Sequence, residues 1–420
     1  MKHKPVHLIT VFEHEIIRYD KGDKRLSEEQ FEALQLYHGN GVPYFKLFHN
    51  GIQFCEYVGV IQVGKTLIEV LPKADKNTNT TEEENKWRDI LINMMKAIGT
   101  FDIKSTSHSQ LKVKPNTILD LYFELFIKEV EYLLHSGLIK KYRKTESNLT
   151  TLKGGLQFGK HIQQNLIHQE RFYVNHNTYD TEHLLHLILY KTIQLLKNIN
   201  TNANLQSRIE ALLLNFPEMP DLKVSEATFN KIIFNRKTQT YQNAIEIAKI
   251  LLLQYHPDIC KGQNNVLALM FDMNKLWEQF VYVSLRKQMS NENTITAQST
   301  KLFWKPETGN HSKIKPNIVL NPNTERCVVL DTKWKNLGGK NPSPEDLRQM
   351  YVYHEYFAAK KVALIYPNFS NSRISGNYST IDNNGVSDKS CSVIGVATNK
   401  NIKDWQKKIY DDIRVWMIDN

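Results

Sequence analysis

The chain has 420 residues, of which 41% are hydrophobic and 23% charged, which is typical of globular proteins and excludes wholesale disorder. No apolar run reaches the roughly 18 residues that a membrane span needs, no secretory leader is recognisable, and the cysteines include no CxxC pair, so we expect a cytoplasmic protein without a zinc module or a membrane partner. The 54 basic and 44 acidic side chains leave a net charge of +10, which favours a nucleic-acid partner.

Residues 1–115 are predicted to form a β-rich region with one or two helices. Ser27 is placed to cap a helix over Ser27–Tyr37, polar Lys76–Glu84 is expected to be a loop, and a second helix has apolar residues at helical spacing from Trp87 to Ile98. Strands are predicted, from β-rich runs or from alternation of apolar and polar residues, at Val6–Phe12, Pro43–His49, Ile52–Val63 and Thr66–Leu71.

Residues 116–265 are predicted to be mostly helical. The strongly apolar helical segments are Leu119–Leu134, Leu184–Leu196 and Ala244–Leu253. One segment, Leu138–Phe158, is not obviously helical and contains Gly154-Gly155, so a protruding hairpin is expected there. Its basic side chains are Lys140, Lys141, Arg143 and Lys144.

Residues 266–420 are predicted to form an α/β domain around a central sheet, because helices alternate with strands. The helices are Asn274–Gln288, Pro344–Ala359 and Ile402–Met417. The strands are Thr300–Trp304, Lys315–Leu320, Cys327–Lys333, Lys361–Tyr366 and Val393–Ala397. Polar Asn368–Ser392 is expected to be a long loop. The whole chain is therefore expected to be an α+β multidomain protein.

The segment Gly59–Thr66 matches the phosphate-loop pattern G-x-x-x-x-G-K-S/T letter for letter. A phosphate loop must follow a strand and open a helix, whose N-terminus binds the phosphates. Here the interior is β-branched and stiff, and Leu67–Pro72 continues as a strand that ends at proline. We therefore expect a β-hairpin that turns at Gly64-Lys65, and no nucleotide bound by this chain itself.

Two predicted strands carry the most informative residues. Residues i and i+2 of a strand project to the same face, so Asp331 and Lys333 point together at the end of an apolar strand. The neighbouring strand, joined by a short turn, presents Asn317 after Pro316 beside them. This arrangement resembles the core of PD-(D/E)xK nucleases, in which two acids on neighbouring strands hold Mg²⁺ and the lysine orients and activates the attacking water.

Neighbouring segments add residues to this constellation. Glu278 lies in the helix before the sheet, where such nucleases often supply another acid. Gln349 and Tyr353 are spaced i and i+4 on one face of the helix after the strand. A Gln-x-x-x-Tyr pair at this place resembles the RecB-like branch of these nucleases, in which the pair lines the active site. Lys335, just beyond the D-x-K sequence, is a further candidate for contact with DNA or support of the site.

Motifs spread over most of the chain resemble McrC, the nuclease subunit of McrBC-type restriction systems, which act on DNA with modified cytosine. The motifs are Val58–Ile61 with Ile68–Lys73, Leu152–Leu156, Asn235-Arg236 with Tyr241, Leu276–Val281, Lys315–Ile318, Leu330–Trp334 and Gln349–Tyr353. The last four lie in the expected nuclease domain and are the most specific.

The resemblance implies a partner, a cofactor and a substrate. McrC-like proteins work with a hexameric McrB-like AAA+ GTPase that binds the GTP. They insert part of the N-terminal half into the ring pore, stimulate GTP hydrolysis and cut double-stranded DNA. Mg²⁺, or Mn²⁺, would be held by Asp331, by an acid at position 317 and by the backbone carbonyl of Thr332. The candidates for entering the ring are the Gly59–Thr66 hairpin and the basic cluster of Lys140, Lys141, Arg143 and Lys144.

One residue departs from the family pattern. The acid expected after Pro316 is Asn317, and a neutral amide is a poorer Mg²⁺ ligand than a carboxylate. Three explanations stay open: a substitution introduced to trap a complex, a naturally degenerate site, or a neighbouring acid that takes its place. The chain is therefore expected to cut DNA poorly or not at all.

Three functions compete on this reading. The first is a Mg²⁺-dependent DNA endonuclease subunit of a restriction complex. The second is a catalytically inactive, nuclease-fold assembly factor that only activates the partner GTPase. A stand-alone repair nuclease ranks last, because the large N-terminal half exceeds what such an enzyme needs. The substitution Asn317→Asp separates the first two, since it should create metal-dependent cutting only in an endonuclease.

Overall fold

The computed structural model describes residues 7–22, 24–39, 41–72, 81–98, 117–256, 265–289, 294–335, 337–368, 372–380, 382 and 385–419. The helices are α1 (Glu28–His38), α2 (Thr81–Ala97), α3 (Ile118–Ser136), α4 (Phe158–Asn165), α5 (Leu184–Ile199), α6 (Ala203–Asn215), α7 (Glu226–Asn230), α8 (Gln242–Leu253), α9 (Met273–Gln288), α10 (Pro344–Phe357) and α11 (Ile402–Ile418). A 3₁₀ turn covers Gln239–Tyr241.

Strands are found in both halves of the chain. They are β1 (His7–Phe12), β2 (Ile16–Arg18), β3 (Phe45–Phe48), β4 (Gly51–Phe54), β5 (Tyr57–Val63), β6 (Thr66–Leu71), β7 (Lys141–Leu149), β8 (Gly155–Leu156), β9 (Phe172–Asp180), β10 (Tyr255–His256), β11 (Val266–Asp272), β12 (Ile295–Ala297), β13 (Lys301–Trp304), β14 (Ser312–Ile314), β15 (Ile318–Leu320), β16 (Val328–Thr332), β17 (Lys361–Asn368), β18 (Ser372–Ser379) and β19 (Val386–Ala397). This mixture of helices and sheets agrees with the predicted α+β class.

The chain divides into two compact units. The first unit comprises the described residues from 117 to 269 together with 62–65, and the second comprises 7–61, 66–98 and 270–419. The three domains predicted from the sequence, 1–115, 116–265 and 266–420, stay a prediction. Among the residues described, no helix combines the length and the apolarity that crossing a membrane requires.

A six-stranded sheet organises the C-terminal part of the second unit, in the order β12-β15-β16-β17-β19-β18. β15 and β16 are antiparallel, whereas β16, β17 and β19 run parallel to one another. Parallel neighbours require a crossover connection, and α10 supplies it between β16 and β17. Met350, Tyr353 and Phe357 of α10 pack in one buried cluster with Val329 and Leu364 of the sheet, which fixes the helix beside the end of β16.

An aromatic cluster packs the helix α9 against the same six-stranded sheet. The Trp277 ring lies 5.6 Å from the rings of Trp334 and Trp405, between ring centroids, and all three side chains are buried. The indole N–H of Trp277 donates to the carbonyl of Ile365, which is 3.3 Å away in β17. Aromatic side chains of this size bring large buried areas, so the cluster anchors α9 to the sheet.

The prediction of a long loop over Asn368–Ser392 is wrong. Most of this segment forms β18 and the first part of β19, which pair antiparallel at the edge of the sheet. Nearly every residue of β18 is exposed, because an edge strand has one partner and here covers little apolar surface. Its serines, asparagine and glycine therefore give no apolar alternation from which a strand could be recognised.

Two predictions in the N-terminal region need correction. The single strand expected over Ile52–Val63 is two strands, β4 and β5, which belong to different sheets. The loop expected over Lys76–Glu84 lies outside the described residues as far as residue 80, and its last four residues are the first turn of α2. Glu82, Glu83 and Glu84 suit that position, because carboxylates stabilise the N-terminal turn of a helix.

The segment that matches the phosphate-loop pattern is a strand, a turn and a second strand, as predicted. β5 ends at Val63, Gly64-Lys65 form the turn, and β6 is the next strand of the same sheet. Val60, Ile61 and Val63 are buried, and the N–H of Gly64 donates to the carbonyl of Asn265 at 2.9 Å. The hairpin is therefore built into the sheet, and its entry into a partner ring stays a prediction.

The strand pairing predicted for Leu138–Phe158, a single hairpin, is wrong. β7 and β8 do not pair with each other, because β9 lies between them in a three-stranded sheet. β9 has the mostly polar sequence FYVNHNTYD and was not foreseen. Gly154 allows β8 to approach β9: its φ is +82°, and a Cβ there would lie 2.3 Å from the carbonyl oxygen of Asn175. Any other residue would be strained at this position.

Tyr241 links the residues just before β7 to the helices of the first unit by hydrogen bonds. The hydroxyl of Tyr241 accepts a hydrogen bond from the N–H of Ile139 at 3.1 Å. His186 Nδ1 lies 2.6 Å from the carbonyl of Thr181, which only accepts, so Nδ1 carries the proton. His186 Nε2 then accepts from the Tyr241 hydroxyl, 3.0 Å away. The motif residue Tyr241 thus orients the three-stranded sheet.

Candidate active site

Asp331 and Lys333 meet at the end of β16, as the spacing predicts. The Lys333 ammonium lies 2.9 Å from Asp331 Oδ2. Asn317 stands just before β15, and its Oδ1 accepts a hydrogen bond from the backbone N–H of Thr332 at 2.9 Å. The antiparallel register of Ile318 with Leu330 produces this contact, because it places residue 317 opposite the end of β16. The three predicted residues are therefore neighbours.

The carboxyl group of Asp331 lies in an environment that disfavours its charge. The residue is 2% exposed. Burial raises the pKa of Asp331, the negative charges of Asp346 and Glu278 act in the same direction, and the charge and hydrogen bond of Lys333 only partly oppose them. A buried acid with a raised pKa beside a lysine is typical of functional sites rather than of cores.

A further acid, Asp346, lies close to both Lys333 and Lys335. Its Oδ2 lies 2.5 Å from the Lys335 ammonium, and its Oδ1 lies 3.7 Å from that of Lys333. Burial would raise the pKa of Asp346, but hydrogen bonds from Lys335 and Ser343 and the charges of both lysines outweigh it, so that the pKa is lowered. Asp346 was missed in the sequence; its signal is its place in the first turn of α10, after the N-cap Ser343.

Gln349 and Tyr353 line the same site from α10. The Lys333 ammonium donates to Gln349 Oε1 at 3.2 Å, and Gln349 Nε2 donates to the Tyr353 hydroxyl at 2.7 Å. Burial raises the pKa of Tyr353, and the charge of Asp331 adds to the effect. The i, i+4 pair is thus on one helix face, as predicted, and Gln349 holds the same ammonium group as Asp331.

Glu278 reaches the site through an intermediate residue. Gln298 donates its side-chain amide to Glu278 Oε1 at 3.0 Å and its backbone N–H to the carbonyl of Asn317 at 2.9 Å. Its φ of +52° is unusual for a residue other than glycine. Glu278 is half-buried and close enough for its charge to raise the pKa of Asp331. Gln298, which the sequence did not indicate, therefore couples the predicted acid to position 317.

The side chains present do not fit a divalent cation. Oδ1 of Asn317 already accepts the N–H of Thr332, and the other polar atom of the amide is an NH₂ group, which donates and cannot bind a cation. In the described part of the chain, no three His, Cys, Asp or Glu side chains are grouped to hold a metal ion. A carboxylate at 317 would keep the hydrogen bond to Thr332 and offer a second oxygen to the ion.

The basic side chains predicted for partner binding lie in β7 and, for Lys140, just before it. Arg143 is occupied within the chain, since it pairs with Asp180 at 3.1 Å and with Glu182 at 2.6 Å. The other three, Lys140, Lys141 and Lys144, are exposed and form no ion pair with any residue that the structure describes.

The comparisons with known proteins point to one family. The McrBC 5-methylcytosine restriction system component family matches residues 52–367, more than half of the chain. A curated relative, the type IV methyl-directed restriction enzyme EcoKMcrBC of Escherichia coli strain K12, is 22% identical over an alignment of 261 residues that covers 57% of this chain and 70% of that protein. A solved structure, the refined half-complex from a tetradecameric assembly of Thermococcus gammatolerans McrB AAA+ hexamers with bound McrC, contains a chain with the same fold.

That chain superposes with a TM-score of 0.69 at 20% identity, over 97% of this chain and 100% of its own length. The similarity in fold therefore extends beyond the residues that the family pattern covers. The resemblance to McrC-type proteins inferred from the sequence motifs is confirmed, and this chain belongs to the McrBC restriction system component family.

Proposed function

We propose that this chain is the McrC-like endonuclease subunit of a GTP-dependent, modification-dependent restriction complex, in a form whose cleavage is impaired by Asn317. The observation that carries the proposal is the convergence of Asp331, Lys333, Gln349 and Tyr353 beside position 317. Two antiparallel strands followed by parallel strands and a crossover helix also suit a PD-(D/E)xK core. The family membership supports a role in restriction.

In this proposal each side chain has a role set by its contacts. The Lys333 ammonium is held by Asp331 and Gln349, so it can orient a water molecule toward a phosphodiester with little freedom to move. Tyr353 fixes Gln349. Asp346 keeps Lys335 at the rim of the site, where a half-exposed ammonium suits a phosphate of the bound DNA. Double-stranded DNA is the proposed substrate.

The proposed cofactor is Mg²⁺, with Mn²⁺ as a substitute, and it belongs to the form with aspartate at 317. Its ligands would be that aspartate, Asp331 and the backbone carbonyl of Thr332, since oxygen ligands are those that Mg²⁺ prefers. With Asn317 the site offers an amide donor instead, so no cleavage step is assigned to the chain as it stands.

The proposed partner is an McrB-like AAA+ GTPase hexamer, which binds the GTP. The solved structure with the same fold is described as McrB AAA+ hexamers with bound McrC. In this chain the first unit offers a surface for such a partner at α4, where the exposed apolar side chains of Phe158, Ile162 and the C-cap residue Leu166 follow helical i, i+4 spacing. Exposed apolar stripes of this kind mark interaction sites. Lys140, Lys141 and Lys144 of the same three-stranded region add positive charge.

A second candidate function is favoured by Asn317 itself. A chain that lost one metal ligand but kept the partner surface would act only as an assembly factor that activates the GTPase. Both candidates predict stimulation of GTP hydrolysis, so stimulation alone does not separate them.

One experiment separates the two candidates. The chain and its Asn317→Asp variant are each combined with the cognate AAA+ GTPase, GTP, Mg²⁺ and a plasmid with 5-methylcytosine. We expect equal stimulation of GTP hydrolysis by both, and plasmid cleavage only, or far faster, with Asn317→Asp. Cleavage should be absent from a second variant that combines Asn317→Asp with Asp331→Asn. Full GTPase stimulation without cleavage by Asn317→Asp would favour the assembly factor, and no stimulation by either would contradict both candidates.

A further inference from the structure

The hairpin of β13 and β14 is attached to the candidate active site at both ends. Gln298, which contacts Asn317 and Glu278, precedes β13 by three residues, and Lys315 after β14 is two residues before Asn317. The body of the hairpin rests on α10, the helix of Gln349 and Tyr353. Lys301 donates its ammonium to the carbonyl of Tyr356 at 2.8 Å, and the Phe303 ring lies 5.3 Å from that of Tyr356. The hairpin is therefore fixed relative to the site.

The hairpin also presents apolar side chains to solvent. Trp304 is 59% exposed and Leu302 is 52% exposed. The chain has six tryptophans, and the other five are buried: Trp87, Trp277, Trp334, Trp405 and Trp416. Exposed apolar side chains that lie next to one another, unlike single ones, mark interaction sites. Trp304 forms no aromatic ring contact, cation–π contact or side-chain hydrogen bond with any residue that the structure describes.

Positive charge accompanies the exposed tryptophan. Residues 301–315 contain four lysines and one glutamate. Lys305, Lys313 and Lys315 are exposed and have no ion-pair partner among the described residues, unlike Lys333 and Lys335 in the site. The register places Lys313 opposite Leu302, so these two side chains share one face. A register shift follows, and Trp304 lies opposite Ser312, the residue next to Lys313.

This combination fits a nucleic acid better than a protein. The fully buried core of a protein interface is depleted in lysine, whereas a duplex offers regularly spaced phosphates for lysines and apolar sugar and base surfaces for a tryptophan. The position of the hairpin matters too, because a phosphodiester in the site places the flanking duplex within reach of the two strands that lead into it.

We propose that the β13–β14 hairpin is a DNA-holding element, in which Lys305, Lys313 and Lys315 contact phosphates beside the cleavage position and Trp304 packs against the duplex. This inference rests on the proposed function, since it assumes that DNA enters the site. The residues act by positioning the DNA and not in the chemical step.

The first test measures charge contacts through salt dependence. Binding of a fluorescein-labelled duplex to the full chain, with Asn317 in place so that the DNA stays intact, is followed by anisotropy between about 50 and 200 mM salt. The variant Lys305→Gln/Lys313→Gln/Lys315→Gln should lower the slope of log K against log salt by about 2–3, since each lost phosphate contact contributes about 0.9. The matched control Lys400→Gln/Lys403→Gln/Lys407→Gln removes the same charge from exposed lysines near and on α11 and should leave the slope nearly unchanged.

The second test uses Trp304 as its own probe. Acrylamide should quench the emission of the free chain mainly through Trp304, because the other tryptophans are buried, and duplex DNA should shield it. Trp304→Ala should remove the quenchable emission and weaken binding by about tenfold, as loss of one aromatic contact does. Equal salt slopes for the two triple variants, or quenching of Trp304 unaffected by DNA, would overturn the proposal. If Asn317→Asp nevertheless cuts DNA, such a result overturns only the hairpin proposal and leaves the endonuclease proposal intact. Conversely, a failure of Asn317→Asp to cut does not by itself contradict DNA binding by the hairpin.

Discussion

The side-chain oxygen of Asn317 accepts a hydrogen bond from the backbone N–H of Thr332, the residue between Asp331 and Lys333. An aspartate has the same shape and can accept the same hydrogen bond with one of its two oxygens. Asn317→Asp should therefore preserve the joint between β15 and β16 while it adds a negative charge and a free oxygen to the site. This makes position 317 a means of changing the chemistry of the site without changing its geometry.

Lys333 should be essential for cutting in the active form. In the Asn317→Asp background, Lys333→Ala is expected to lower the cleavage rate by at least about 100-fold, because removal of a group that orients or polarises the reacting atoms costs that much. Plasmid cleavage and duplex binding are measured side by side, and binding should change little. Lys340→Ala, at an exposed lysine of the following loop, serves as the matched control. Cleavage at the parental rate by the Lys333 variant would rule out the assigned role.

The Lys333–Asp331 pair should leave a pH signature in stability. Burial already raises the pKa of Asp331, so the folded state binds its proton more tightly than the unfolded state, and stability falls as pH rises through the two pKa values. Without Lys333 the pKa rises further. Lys333→Ala should therefore destabilise the chain by about 1–3 kcal/mol at about pH 8 and by less at about pH 5.

Urea unfolding of four proteins at the two pH values tests this: the parent, Lys333→Ala, Asp331→Asn and the double variant. In the Asp331→Asn background the pH-dependent part of the Lys333 effect should vanish, since no acid at 331 is left to titrate. A lysine effect that is the same at both pH values in both backgrounds would show that the ammonium does not govern the charge of Asp331.

The apolar stripe on α4 should be needed for the partner. Ile162→Asp combined with Leu166→Asp places two charges in a surface that we propose is desolvated in the complex, so GTPase stimulation should fall by at least about tenfold. Both side chains are exposed in the free chain, and the melting temperature should therefore stay nearly the same. Leu214→Asp with Ile233→Asp changes two apolar residues of the same unit that are even more exposed, and it serves as the control. Stimulation that survives the α4 change, or is lost equally in the control, would contradict the assignment.

His186 should make the first unit sensitive to acid. Burial, followed by the charge of His183, whose ring centroid lies 3.9 Å away, and of Lys141, lowers the pKa of His186 to about 4. The unfolded chain binds the proton from about 6.5 downward, so stability is lost as pH falls toward the folded value. The loss should be about 2 kcal/mol between about pH 7 and pH 5. Urea unfolding of the parent and of His186→Gln tests it, because the variant should lose this part of the pH dependence; an unchanged difference would refute the assignment.

The parts of the site that could be predicted are those fixed by local spacing. Asp331 and Lys333 share a strand face, and Gln349 and Tyr353 share a helix face, whatever the rest of the chain does. Asp346 and Gln298 escaped prediction because their contacts depend on how separate elements meet: Asp346 reaches Lys335 across a loop, and Gln298 reaches Glu278 only in a left-handed backbone conformation.

The same distinction separates the helices and strands that could be predicted from those that could not. Long apolar helices such as α3 and α5 lie where their spacing predicts them, because burial of a continuous apolar face leaves a strong periodic signal. β9 and β18 have mostly polar sequences; most residues of β9 are half-buried, and nearly all of β18 is exposed. Pairing with a neighbouring strand creates them, and such pairing leaves almost no trace in the composition of either segment.

The account depends most on position 317, and a metal titration tests it most directly. Mg²⁺ and Mn²⁺ are titrated calorimetrically into the chain, into Asn317→Asp, and into Asn317→Asp combined with Asp331→Asn. We predict measurable binding at one site in Asn317→Asp, because only this variant has two carboxylates facing the ion. Binding should be at least about tenfold weaker in the chain with Asn317 and absent in the double variant. Equal affinity for all three proteins would contradict the assignment of Asp331 and position 317 as a metal site.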